Sequence, residues 1–390
     1  MNTDDMPVIE LQGPARTRGR IYGESAKALI AAVLEQWRAD LGNFAQHEPG
    51  GRTEDPEAYL AAFYSETDYL SAIQQWAPTL LEEVRGIAEG AEQSFDDILG
   101  LQLVDEEWAF GLRRRLARPT TKCTAFALPN HTHQTSYAGQ NMDIGSSMDG
   151  KQVLLRIVPE HSSAEAAELP AALVFSSAGN IGLNGLNALG LGVTCNTLAQ
   201  LTSAKRGLPV SFTVRTLLQQ ASLEQAEGLL RRIQHACGQN YILSTRNEMR
   251  CFECSATQVV PYAPKDWGGR VFHTNHPLVH PESGDARAGA KQPGNSTLAR
   301  LKSISQRLGD PQREPTLVDI KAALSAHDDP AYPVSRNVNP ERSAIGFTAG
   351  ACIYELGDKA RLHLAAGPPC ETEFKTFDFG TESATKRGVP

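Results

Sequence analysis

No run of about 18 apolar residues occurs in the chain, so no segment is predicted to cross a membrane as a helix. The opening residues, Met1 to Asp5, are polar and acidic, without the basic n-region and apolar h-region of a secretory leader. The closing Arg387-Gly388-Val389-Pro390 is not a peroxisomal address. Cysteine is sparse, 7 in 390 residues, odd in number and irregular in spacing. That argues against a disulfide framework and points to a reducing, cytoplasmic setting. Clustered positive charge is scarce as well. The net charge is -8, and the one tight basic run, Arg113-Arg114-Arg115, reads as a solvated helix face. Neither nucleic acid, which needs clustered Lys and Arg, nor a membrane is expected as a partner.

Motifs for cofactors and metals are also wanting. His273, His276 and His280 have ligand-like spacing, but the first two sit in a strand-turn element, and no metal site is expected. Cys251-Phe252-Glu253-Cys254 has no second pair and no thioredoxin-like start, and in a strand its two thiols face opposite sides. Gly179, Gly182 and Gly185 match neither a dinucleotide fingerprint nor a phosphate loop. They read as a tight hairpin, and no cofactor is expected.

What is present is a globular composition, 41% hydrophobic and 21% charged, with enough apolar mass for a core. The chain reads in two regimes. Residues 1–122 are mostly helical by periodicity, with helices predicted over 18–40, 57–67, 68–90 and 94–117. Gly90 is a helix stop, and Ser94 with Asp97 offers the next start. From Cys123 short β-branched or apolar runs predict strands at 123–128, 136–141, 152–158, 171–176 and 191–197. Helices over 210–221 and 223–236 follow, then strands near 240–246, 250–254 and 257–260. Helices at 296–308 and 317–325 and strands at 344–354 and 361–366 complete the chain. Residues 282–295 read as a polar surface loop. Strand runs interleaved with helix pairs predict an α+β layered core without a regular βαβ repeat.

Cys123 lies at the junction of the two regimes, in Thr121-Lys122-Cys123-Thr124-Ala125-Phe126. A cysteine alone is most often a small buried hydrophobe. The neighbouring segments add to it. Gly139-Gln140-Asn141-Met142-Asp143 follows, then the Gly- and Asn-rich stretch 179–193, then His273-Thr274-Asn275-His276-Pro277 and Asn295-Ser296-Thr297-Leu298-Ala299-Arg300. The opening carries Leu11-Gln12-Gly13 and Arg18-Gly19-Arg20-Ile21-Tyr22-Gly23, and Arg85-Gly86-Ile87-Ala88-Glu89-Gly90 comes later. The close is Arg361-Leu362-His363-Leu364-Ala365-Ala366-Gly367-Pro368-Pro369-Cys370. In this order and spacing the chain resembles, over nearly its whole length, the acyl-coenzyme A:6-aminopenicillanic acid acyltransferase family, a group of N-terminal nucleophile (Ntn) hydrolases.

The resemblance implies an αββα Ntn-hydrolase sandwich of two antiparallel sheets, with the helical N-terminal region packed on one side. It divides the chain into 1–122, an α subunit or propeptide, and 123–390, the catalytic domain. It implies self-cleavage between Lys122 and Cys123, leaving Cys123 as a new N-terminus whose α-amine serves as base for its own thiol. The N-terminal fragment would then be a partner of the remainder. Asn275 is implied as the oxyanion donor, and Asp143 with Arg300 as the pair orienting the N-terminal cysteine. Thr124 and Asn196 are candidate substrate or oxyanion contacts.

Two positions depart from the family pattern. Lys122 stands where Gly is frequent, and Gly would more easily accommodate the rearrangement of that peptide bond. Thr194, in Val193-Thr194-Cys195-Asn196-Thr197, stands where an Asn is common, while Asn196 is kept. The expected activity is hydrolysis of a linear amide or N-acyl compound through an acyl-enzyme. The alternatives are acyl transfer from a CoA thioester to an amine such as 6-aminopenicillanic acid, and an unprocessed, non-catalytic protein that binds acyl compounds.

Overall fold

A computed structural model describes residues 2–41, 55–114, 123–130, 135–158, 169–284, 295–338 and 346–380. The N-terminal region begins with a strand, β1 (Val8–Gln12), and continues in helices α1 (Ala15–Ser25), α2 (Lys27–Leu41), α3 (Pro56–Glu66), α4 (Tyr69–Trp76), α5 (Pro78–Ala91), α6 (Phe95–Gln102) and α7 (Val104–Arg113). Three of the long helices predicted from periodicity are each split in two. Pro78, which has no N–H to give α4, opens α5 instead. Ala26 and Leu103 end α1 and α6, their N–H groups turning back onto Tyr22 and Gly100. The start read at Ser94 is real: its hydroxyl accepts from the Asp97 N–H at 3.1 Å.

Helices α1 and α5 cross with their backbones in direct contact. A methyl group on Gly19 would sit 1.9 Å from the Glu83 carbonyl oxygen, and one on Gly86 2.1 Å from that of Arg16. Gly23 and Gly90 make the same close approach one turn further on. Beside the crossing, the wholly buried Glu83 accepts from Arg215 Nη1 at 2.8 Å and from Arg18 Nη2 at 3.1 Å. Burial works to raise the Glu83 pKa, but the charges of Arg215 and Arg18 outweigh it and hold the carboxyl below its ordinary range.

The remaining strands are β2 (Thr124–Leu128), β3 (Ser136–Ile144), β4 (Gln152–Val158), β5 (Ala172–Ser177), β6 (Asn184–Asn187), β7 (Gly192–Thr197), β8 (Gln239–Ser244), β9 (Met249–Cys254), β10 (Val259–Tyr262), β11 (Val271–His273), β12 (Phe347–Leu356), β13 (Ala360–Ala365) and β14 (Lys375–Phe377). They form an eight-stranded sheet, β1-β4-β5-β6-β7-β8-β9-β10, and a six-stranded sheet, β11-β2-β3-β12-β13-β14. Helices α8 (Val210–Leu218) and α9 (Leu223–Arg232) contact β6, β7 and β8 of the first sheet. Helices α10 (Asn295–Leu308) and α11 (Leu317–Leu324) bury Ile304, Leu308 and Ile320 against Phe126, Phe272 and Ile353 of the second. Between the sheets, Gln152 Nε2 donates to the Ala349 carbonyl at 3.0 Å and the Tyr354 hydroxyl to Asn184 Oδ1 at 2.8 Å.

This is the expected α+β, αββα sandwich, with one correction. The larger sheet is mixed, because β1 runs parallel to β4, Val8 opposite Leu154 and Gln12 opposite Val158. That strand comes from the region read as helical. Its burial alternates, with Ile9 and Leu11 inward, as a half-buried strand requires.

The glycine crossing should be intolerant of one extra carbon. Gly19→Ala must push two helix backbones apart, and should destabilise by about 3 kcal/mol or somewhat more, the upper end for overpacking. Urea denaturation reads this as a fall in midpoint. A control at Gly228, where an added methyl meets nothing closer than the Arg232 guanidinium at 3.6 Å, should not fall.

Candidate active site

Cys123 stands immediately before β2 and is 2% exposed. Its neighbours follow from sheet register. Thr124 pairs with Asn141 on β3 and Ala125 with His273 on β11, so Met142 and Asn275 flank the strand's start. The thiol Sγ lies 3.4 Å from Met142 Sδ. The Cys123 N–H donates to Asn275 Oδ1 at 2.7 Å. Its carbonyl accepts from Arg300 Nη1, a contact shared with the Thr124 hydroxyl at 2.9 Å. The Asp143 backbone N–H reaches the thiol, and Asp143 Oδ1 accepts from Thr348 Oγ1 at 2.7 Å. Cys123, Thr124, Asp143, Asn275 and Arg300 therefore meet at one place. Lys122 lies outside the described residues, as do residues 285–294 of the loop predicted over 282–295.

Arg300 is completely buried, on the face of α10 that meets β2 and β11. Besides Cys123 and Thr124 it gives Nη2 to Asn275 Oδ1 at 3.1 Å and Nε to Ser296 Oγ at 3.4 Å. It touches the carbonyl side of Cys123, while Asn275 takes the amide side. Asn275 Nδ2 donates to the Thr197 carbonyl at 3.1 Å. An amide nitrogen carries two hydrogens, so one remains for a further acceptor. Asn196, next to Thr197, has a fully buried carboxamide that bonds to none of the described residues and makes no described contact with Cys123.

A carboxylate shapes the loop that presents Asn275. Glu253, at the end of β9, accepts from His273 Nε2 at 2.9 Å and from the backbone N–H groups of Leu278, Val279 and His280 at 2.5, 3.2 and 2.7 Å. Thr297 Oγ1 in α10 accepts from the Asn275 N–H at 2.9 Å. Glu253, Thr197, Thr297 and Gln140, whose Oε1 accepts from Cys195 N–H at 2.8 Å, were not singled out from the sequence. Each acts through a partner at least 20 residues away, as with Glu253 and His273, which no local pattern records. Asp105 of α7 was missed too: its Oδ1 accepts from Thr197 Oγ1 at 2.8 Å and Gln239 Nε2 at 3.0 Å.

Burial pushes the Cys123 thiol up to about 12, with the Asp143 charge adding to the rise, while the Asp143 N–H and Arg300 oppose it. Burial likewise brings Arg300 down to about 10, against the pull of Asp143. With Cys123 acylated at its nitrogen, this thiol is protonated at neutral pH and a poor nucleophile.

Cys123 is thus held at its nitrogen, carbonyl and sulfur at the head of an interior strand. The fold around it, two sheets between helical layers, is the fold of N-terminal-nucleophile hydrolases and acyltransferases. Residues 131–344 match the profile of the acyl-coenzyme A:6-aminopenicillanic acid acyl-transferase family, and the chain belongs to that family. It is 28% identical, over 98% of its length and 99% of the relative's, to acyl-coenzyme A:6-aminopenicillanic-acid-acyltransferase 40 kDa form of Emericella nidulans. Among solved structures it is similar to a variant of conjugated bile acid hydrolase from Clostridium perfringens, at 14% identity and a TM-score of 0.46, over 66% of this chain and 97% of that one. An N-acylethanolamine-hydrolyzing acid amidase ortholog of Caenorhabditis elegans follows at 15% and 0.40, over 66% and 100%. Among the described residues no helix is long and apolar enough to cross a membrane.

The Glu253 clamp has a pH signature. Burial tends to raise its carboxyl, but the hydrogen bond and charge of His273 and the loop N–H groups hold it below its ordinary value. A folded pKa below the unfolded one gives stability that is present above the unfolded value and lost as pH falls through the folded one. Glu253→Gln should therefore cost about 1.5–3 kcal/mol at neutral pH, the range for a hydrogen bond to a charged group. Thermal melts from pH 7 to pH 3 should show the deficit shrinking on the acid side. A constant deficit would rule out the ionised clamp.

Proposed function

We propose that the chain cleaves itself between Lys122 and Cys123 and then uses Cys123 against a linear amide or related N-acyl compound, passing the acyl group to water. The observation that carries this reading is the grip on Cys123 itself. Asn275 Oδ1 faces its nitrogen and Arg300 its carbonyl, with the thiol against the Asp143 N–H. Any buried backbone N–H and C=O need partners, but here both partners are polar side chains from distant elements, Asn275 and Arg300, and the thiol has a third.

Cleavage supplies what the thiol lacks. A free α-amine has an ordinary pKa of about 7.7–8.0, so a sizeable fraction is neutral at physiological pH. It takes the thiol proton, and the resulting ammonium, beside the sulfur, favours thiolate and pulls the thiol down from its high value. The thiolate attacks the amide carbonyl, and the remaining Asn275 N–H stabilises the oxyanion without adding charge to the ground state. Collapse breaks the C–N bond, with the ammonium returning its proton to the leaving amine. Water then attacks the thioester, giving the acid and the free thiol. Asp143 and Arg300 hold the cysteine for both steps, and Thr124 and Asn196 complete its surroundings. After the cut, 1–122 would stay in place as a bound partner through the β1–β4 ladder and the α1–α5 crossing.

A second reading is supported by the Emericella nidulans relative, similar over the full chain and named for acyl transfer. The same thioester would form from acyl-CoA and be resolved by an amine such as 6-aminopenicillanic acid.

Intact mass of the purified protein should show two fragments, the second beginning Cys-Thr-Ala-Phe. Cys123→Ala should leave one chain, and cleavage persisting there would remove Cys123 as the agent. In processed protein, Asn275→Ala should lower turnover on the order of a hundredfold or more. Near-normal turnover with the free Cys123 terminus intact would leave Asn275 as a loop residue only. Asp143→Asn should lower turnover and move its pH optimum. A panel of small amides and thioesters, with and without an amine acceptor, separates hydrolysis from transfer.

A further inference from the structure

Arg336 lies in the segment leading to β12 and is 8% exposed. Its backbone is locked to Thr348: its N–H donates to Thr348 Oγ1 at 2.9 Å, and its carbonyl accepts from the Thr348 N–H at 2.9 Å. The same Thr348 hydroxyl donates to Asp143 Oδ1. The locked backbone therefore fixes Arg336 one residue away from the carboxylate that acts on Cys123. Its charge is felt at Arg300, where it opposes that guanidinium's own charge.

The Arg336 guanidinium itself has no hydrogen bond or ion pair among the described residues, and Nη1 is fully buried. The other large buried guanidiniums are matched. Arg215 and Arg18 share Glu83, and Arg270 gives its nitrogens to the Leu308, Asp310 and Arg313 carbonyls. A buried guanidinium nitrogen without a hydrogen-bond acceptor is costly, and a ligand anion would relieve that cost. The planar fork of an arginine fits a carboxylate through two parallel N–H···O contacts.

We propose that Arg336 is a specificity-determining residue that receives a carboxylate of the substrate, so that the favoured substrates are N-acyl compounds carrying a carboxylate close to the scissile amide. This rests on the acyl-enzyme reading above and deepens it. The carboxylate can lie on the amine side, as in an N-acyl amino acid, or on the acyl side, as in the monoamide of a dicarboxylic acid. Both present the same anion to the same guanidinium. A CoA phosphate, far from its thioester, is not the anion meant.

The test is equilibrium binding by calorimetry to the full chain carrying Cys123→Ala, which needs no turnover. The probes are N-hexanoylglycine, its neutral counterpart N-hexanoylglycinamide, and N-hexylsuccinamic acid. At least one carboxylate probe should bind roughly 10- to 100-fold more tightly than the neutral one, the worth of a charge-assisted hydrogen bond. Which of the two does so assigns the side. Adding Arg336→Gln should erase that preference and leave the neutral probe unchanged, while Arg336→Lys should keep part of it. Thermal melts of Arg336→Met should be no lower than those of the parent, since the substitution removes an uncompensated charge. Equal affinity for charged and neutral probes, a preference that survives Arg336→Gln, or a lowered melting temperature for Arg336→Met would each overturn the assignment. Absence of cleavage in the wild-type chain would defeat the acyl-enzyme reading while leaving the binding result standing.

Discussion

A guanidinium taken fully out of water must find oxygens for its N–H groups or cost several kcal/mol. Arg300 finds them on the Cys123 carbonyl, the Thr124 hydroxyl, Asn275 Oδ1 and Ser296 Oγ. These atoms come from the start of β2, from the loop after β11 and from α10 itself. If β2 slipped by a residue, the carbonyl would leave; if the loop opened, the carboxamide would. The register of β11 on β2 and the docking of α10 are thereby coupled to the position of one cysteine backbone. The Asp143 charge favours the charged form of Arg300, against the cost of its burial.

The N-terminal region reaches this centre by a chain of contacts. Asp105 of α7 holds the Thr197 hydroxyl, and the Thr197 carbonyl holds Asn275. Behind α7, the position of α5 is set by its glycine contact with α1 and by Glu83 between two arginines. Gln140 joins the sheets through the Cys195 N–H, close behind the thiol. The site is therefore built from both sheets, α10 and one helix of the first 122 residues, and no single layer contains it.

The helix and strand regimes were legible because their periodicities differ and because Gly90 and Ser94 mark boundaries in the sequence itself; Pro78, inside the predicted 68–90 helix, is a boundary that the periodicity overrode. The break at Leu103 was not, since it is made by a backbone turn onto Gly100 that needs no special residue. β1 was hidden for another reason. Five residues alternating Val-Ile-Glu-Leu-Gln are too short to stand out, and only β4, more than 140 residues away, makes them a strand. Cys123, Asp143, Asn275 and Arg300 were found through the order of motifs along the chain, without any view of their contacts. The Arg300 contact with Cys123 spans 177 residues. Glu253 and Arg336 carried no local signal. A charged residue in a strand and one beside a serine look ordinary until burial shows one with four donors around it and the other with no acceptor among the described residues. The glycines at 19, 23, 86 and 90 were visible as landmarks, but their physical reason is a helix crossing that exists only in three dimensions.

The orientation of the Asn275 amide follows from its partners. Cys123 N–H and Arg300 Nη2 are both donors, so the oxygen must face them; the Thr197 carbonyl is an acceptor, so the nitrogen must face it. Flipping the group would set N–H against N–H and oxygen against oxygen. This arrangement does not depend on whether Cys123 is an internal residue or a chain terminus. A peptide N–H, a neutral amine and an ammonium can each donate to Oδ1. A neutral amine that spends one hydrogen there has its rotation restricted, which limits where its lone pair can point. Arg300 binds the same oxygen and withdraws electron density from the carboxamide, making the remaining Nδ2 hydrogen a stronger donor. One residue can thus position the amine and present a hydrogen to a developing oxyanion, because its two ends are held by groups of opposite hydrogen-bonding character.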